Sequence, residues 1–160
     1  MLSIVRFLTQ LVLALALALP FAHAAEIVGK LRLPGPVWIE VQHNLYVAFA
    51  WVGAVAEIGA ILLTWTLFLL LRRRRPGAGW VLVAALCVSV ALPLWAIFIN
   101  PINVDQIAVW TPETLPPDWA EVRDRWETWH AIRAALFAVA FCAATLALLA
   151  DTPRGSNRRR

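Results

Sequence analysis

The sequence predicts an all-α fold: an integral membrane bundle of four helices, the last of them extended on the outer side. Three observations predict it. Of the 160 residues 61% are hydrophobic and 15% charged, against roughly 45–50% apolar in soluble domains, and the mean hydropathy is +0.72. Apolar runs of about 20 residues, each able to cross ~30 Å of hydrocarbon, can be cut from it three or four times. The basic residues, 13 Arg and one Lys, are gathered rather than spread. A water-soluble globule is excluded, and no solenoid-length repeat divides the chain.

The first run, residues 1–24, supports two readings. One early base, a Leu/Ala stretch, Pro20 as a breaker and Ala22-His23-Ala24 before Ala25 follow signal-peptide grammar. The apolar stretch is nonetheless longer than the ~7–15 residues usual for a signal core, and retention as a first span is the expectation. The second span runs from about Asn44 to Leu71, ~42 Å at 1.5 Å per residue, so it must tilt or project. Arg72 to Arg75 and a Pro76-Gly77 turn follow it. The third span extends from Trp80 to about Ile99, bent at Pro93 and ended by Asn100-Pro101. Pro116-Pro117-Asp118 starts the last helix, with Asp118 as cap or first-turn acid, and nothing breaks it before Asp151. Residues 25–155 thus form a single bundle domain, and 156–160 a basic cytoplasmic tail.

Charge sets the expected orientation. The arginine run and the C-terminal Arg154 and Arg158 to Arg160 are cytoplasmic by the positive-inside rule. Asn100 to Glu127 carries six acids and two bases and faces outside. Both termini are then cytoplasmic in a multi-pass protein of the cell (inner) membrane. The pI near 10 reflects this orientation and contact with anionic lipid. No basic patch interleaved with aromatics argues for nucleic acid, and no phosphate loop or nucleophile elbow for nucleotide or acyl-transfer chemistry.

Ionisable groups within membrane helices are functional candidates by default. His130 and Arg133 share a face at the outer end of the last span, where Arg133 could also simply snorkel. Glu57 lies mid-span about four turns below His43 on roughly one face, either functional or bonded to a neighbouring helix. With Asn44, Asn100 and Asn103 these residues can form a polar cluster where the outer ends of spans two, three and four meet. Trp119, Val122, Trp126 and Trp129 stack on one helical face, as an interfacial belt or as the wall of a pocket for a flat apolar ligand. Glu40-Val41-Gln42-His43 and Glu127-Thr128-Trp129-His130 repeat the Glu-x-x-His spacing of di-iron bundles. The further carboxylates such sites require are missing at equal depth, so no metal site is assigned. Cys87 and Cys142 read as small buried hydrophobes.

The stretch LWAIFINPINVDQIAVWTPETLPPDWAEVRDRWETWHAIR, Leu94 to Arg133, resembles the anthrone-oxygenase-like family of small four-span membrane proteins. The resemblance rests on Pro101-Ile102-Asn103, Trp110, Trp119, Arg123, Trp126, His130 and Arg133. VQHNLYVAFAWVGAVAEIGAI resembles the family's second span, Glu57 included, and in all the likeness covers roughly Leu31 to Ala150. It implies four spans and oxidation of anthrones to anthraquinones by molecular oxygen without an organic cofactor. A flat ring system would stack on Trp126 or Trp129, near Asn100, Asn103 and His43. His130 or Glu57 would take the acidic C–H proton, and Arg133 would steady the enolate oxygen. The partners implied are the lipid bilayer, a small hydrophobic or aromatic substrate and oxygen; a homo-oligomer is left open. The alternative is a non-enzymatic structural or assembly subunit of a membrane complex, its polar cluster serving only to hold helices together. A proton-coupled carrier using Glu57 lacks the inverted repeats such proteins show.

Overall fold

A computed structural model of the chain describes residues 1–73 and 76–151. Arg74 and Arg75 of the arginine run, Arg154, Arg158 to Arg160 and the tail 156–160 lie outside the described residues. Helix α1 (Leu2–Lys30) continues through Pro20 instead of breaking there. The proline ring is fully buried, and a membrane helix tolerates the lost hydrogen bond when its neighbours enclose the gap.

A short helix α2 (Gly35–Leu45) follows, with Pro36 in its first turn, where the missing N–H costs nothing. Helix α3 (Phe49–Leu71) begins only after a break at residues 46–48. The expected single helix from Asn44 is therefore two, and the projecting part is a separate element rather than a longer span. Helix α4 (Ala78–Leu94) ends one residue after Pro93. The chain then stays helical through a π-helical turn, Trp95–Ile99, a short α5 (Asn100–Ile102) and a second π-helical turn, Asn103–Ile107. Asn100-Pro101 does not end the span. The Asn100 N–H bonds back to the Trp95 carbonyl, an i to i−5 bond, and the proline falls where the ladder changes register, so its absent donor is not missed. Helix α6 (Trp119–Asp151) starts where the Pro-Pro-Asp signal places it, the Asp118 carbonyl accepting from Glu121 at 3.0 Å.

Four helical stretches, 2–30, 49–71, 78–107 and 119–151, are long and apolar enough to cross a membrane, and no strand occurs among the described residues. The chain is a membrane protein. Each span packs on two others, α1 on α3 and α6, α4 on α3 and α6, which closes an up-down ring. The contact surfaces are small: Ala56, Ala60, Ala84, Ala91, Ala140, Ala143 and Ala144 surround Leu13, Val88 and Phe137. Small residues let backbones approach closely where no hydrophobic effect drives helices together. Large apolar side chains point outward instead, Trp51 at 79% and Val55 at 75% exposed, as lipid contact requires. Cys87 is half-buried, but Cys142 is exposed and joins this outer surface. It is a lipid-facing residue, not the buried one expected, because its neighbours Ala143 and Ala144 take the inward positions.

At the arginine-turn end, Asp151 pairs with Arg6 of α1 and accepts the Gly77 N–H at 3.0 Å. One carboxylate thereby joins both terminal spans and the α3–α4 turn. At the opposite, distal end Trp38, Ile39, Ile99, Ile102, Val122 and Trp126 form a second apolar core. This core supports the polar site.

Candidate functional site

Between the distal ends of α1, α3, α4 and α6 lies a cavity of about 380 Å³, bordered by α2 and by the second π-helical turn. One helical break and one change of helix type shape it: the interruption at residues 46–48 places Tyr46 and Phe49 on its wall, and the π-helical continuation brings Asn103 and Ile107 to it. Counted along α6, His130 stands 21 residues, or ~31 Å, from Asp151, near the distal hydrocarbon boundary of a ~30 Å core.

Glu57, His130 and Arg133, on two different spans, all line the cavity. The Arg133 Nη2 pairs with Glu57 Oε1, and its Nε–H donates to the Ala91 carbonyl at 3.1 Å. Arg133 does not snorkel; its polar partners lie inside the bundle. His130 is 6% exposed, and among the described residues neither ring nitrogen has a hydrogen-bond partner. An imidazole desolvated this far without a partner is costly, and the residue borders the cavity. The Gln42 amide nitrogen is a second group on the wall without a partner among the described residues.

Trp126 lines the cavity and donates its indole N–H to Asn103 Oδ1 at 2.7 Å, which holds both in place. Its ring lies 4.1 Å from that of His130. His43 also borders the cavity, but its Nε2–H donates to the Ile107 carbonyl at 2.7 Å, tying α2 to the second π-helical turn. Trp129 and Asn100 are not on the wall. Trp129 stacks on Phe98, centroids 3.8 Å apart and planes at 9°, because its position three residues beyond Trp126 has rotated toward α4's outer flank. Asn44 is exposed and back-bonds to the Glu40 carbonyl. The two Glu-x-x-His pairs do not converge: Glu40 is exposed, while Glu127 turns to Lys30 at 3.4 Å. Among the described residues no three His, Cys, Asp or Glu side chains are clustered as metal ligands.

The largest addition comes from α1. His23, considered from the sequence only as part of a cleavage site, is buried beside His130, ring centroids 4.3 Å apart. Lys30, the chain's single lysine, is 4% exposed and reaches His23 Nδ1 at 3.0 Å, Glu26 at 3.1 Å and Glu127 at 3.4 Å. Its ammonium also sits 4.7 Å from the Tyr46 ring centre and 5.1 Å from that of Trp126. Tyr46, between the spans, bonds to Glu26; burial, aided by that carboxylate, raises its phenol above the ordinary range and keeps it a neutral donor. A signal for α1 was present: Glu26 and Lys30 are spaced i, i+4, and His23 and Lys30 lie two turns apart on one face.

Such a bundle, four apolar helices with charged and aromatic side chains around a cavity at one end, belongs to the class of small helical membrane proteins. The chain matches the anthrone oxygenase family over residues 43–143, more than half its length, and belongs to that family. The matched segment contains His43, Glu57, Asn103, Trp126, His130 and Arg133; His23 and Lys30 precede it. No curated protein and no solved structure matches the chain significantly.

Proposed function

We propose that the protein oxidises a flat, membrane-partitioning ketone of the anthrone type in this cavity, with molecular oxygen as the oxidant. The observation that carries the proposal is His130, buried against the cavity with both ring nitrogens unengaged. A base must reach an acidic C–H with a free lone pair. Glu57, the other candidate base, is already bonded to Arg133, which favours His130. Family membership supports the reaction class, and a volume of about 380 Å³ lies within the ~300–1,000 Å³ typical of small-molecule sites.

In this mechanism the ligand lies against Trp126. His130 takes the ring C–H proton, and the electron pair spreads onto the carbonyl oxygen. Arg133 contributes positive charge nearby through Nη1, for which the protein supplies no acceptor among the described residues. The resulting electron-rich enolate reacts with oxygen. Anthrone plus O₂ gives anthraquinone plus one water, so no other reductant or oxidant is needed. The arginine-rich turn on the cytoplasmic side would place the cavity toward the outer face of the inner membrane.

The test is oxygen uptake together with quinone absorbance on purified protein in nanodiscs supplied with anthrone. One O₂ should be consumed per quinone formed, faster than spontaneous oxidation, and His130→Ala should lower the rate ~10²–10⁴-fold. No rate above the spontaneous one, or full activity in folded His130→Ala, would overturn the proposal.

A further inference from the structure

We propose that His23 is a second functional histidine of this cavity, and that Lys30 is the positioning residue that fixes its tautomer. An ammonium can only donate, so at 3.0 Å from Lys30 Nζ the His23 Nδ1 must accept. Glu26 and Glu127, at 3.1 and 3.4 Å, hold the ammonium against that nitrogen. An imidazole whose Nδ1 accepts carries its proton on Nε2. No protein acceptor meets Nε2 among the described residues, and the ring borders the cavity.

The neighbouring ring complements it. His130, 4.3 Å away centre to centre, has no hydrogen-bond partner at either nitrogen among the described residues. The pair therefore offers the cavity one N–H donor and one free acceptor on adjacent rings, with Trp126 against both at 4.7 and 4.1 Å. That combination recognises a ligand bearing an acidic C–H or O–H conjugated to a carbonyl. The C–H bond breaks, its proton ends on a His130 nitrogen, and the electron pair moves onto the carbonyl oxygen, which accepts from His23 Nε2–H. The ligand chemistry rests on the function proposed above, whereas the tautomer of His23 does not.

The two are separable by experiment. Nitrogen-15 histidine spectra of the full-length protein in nanodiscs, without ligand, report each tautomer directly, and the three histidines are assigned from single His→Gln variants. His23 should be neutral with the proton on Nε2; a proton on Nδ1, or on both nitrogens, overturns the proposal. Lys30→Met should release the fixed tautomer into a mixture, and an unchanged His23 signal in that variant also overturns it. If the variant does not fold, the wild-type spectrum alone decides. With anthrone turnover, His23→Leu should lower kcat ~100-fold, the scale of losing one oxyanion donor. His23→Gln, which keeps an N–H of similar reach, should fall less. Equal loss in folded Leu and Gln variants counts against the donor role. Absence of any turnover defeats the oxygenase function and leaves the tautomer to be judged on its nitrogen shifts.

Discussion

Arg133 and Glu57 form an ion pair between α6 and α3 inside the bundle, and the guanidinium's second polar contact, to the Ala91 carbonyl, reaches α4. Removing one member strands the other. Arg133→Gln alone should therefore destabilise the protein by about 3–5 kcal/mol, the usual consequence of an uncompensated buried charge. The double variant Glu57→Gln with Arg133→Gln should be markedly more stable than that single one, since two neutral amides can bond to each other. Thermal unfolding in detergent across the double-mutant cycle measures the coupling; additive losses would show that the two residues do not act as a pair.

Among the elements, the start of α4 packs closely on the end of α6 at Gly77. A Cβ on Gly77 would stand 2.6 Å from the Ala147 carbonyl oxygen and 3.0 Å from its Cα, both backbone atoms that cannot rotate away. The same residue donates its N–H to Asp151. Gly77→Ala should thus push the end of α6 off the turn and cost about 1–3 kcal/mol, as overpacking does. Gly79, two residues on, meets nothing within 4 Å and is exposed in the first turn of α4. Gly79→Ala should be neutral or stabilise by up to about 1 kcal/mol through helix propensity. Melting temperatures of the two variants side by side test the contrast, and equal shifts would refute it.

For the whole molecule, the weightiest consequence is that α1 belongs to the bundle and to its site. It packs along both α3 and α6, buries Leu13 and Ala16 in the core and supplies His23, Glu26 and Lys30 to the distal cluster. Cleavage after Ala24 would remove His23 and leave Lys30 on a short segment without its helix. Intact mass of the protein purified from membranes should accordingly include residues 1–24; a species beginning at Ala25 would mean that the mature site lacks its first histidine.

The sequence by itself determined the class, the four spans, the start of α6 and the family, because apolar run length, charge distribution and the Pro-Pro-Asp signal are local properties. It also marked Glu57, Trp126, His130 and Arg133, since an ionisable or large aromatic residue in or beside an apolar run stands out wherever the run packs. Only the tertiary structure decided which of these meet. The continuation past Pro101 depends on a change to i−5 bonding that composition does not encode. The rotation of Trp129 away from the cavity depends on where α4 sits against α6. The place of His23 and Lys30 depends on α1 lying beside α6, more than a hundred residues away in the chain. A helix periodicity specifies which residues share a face; what that face touches is set by packing among all four spans, and the site is made there.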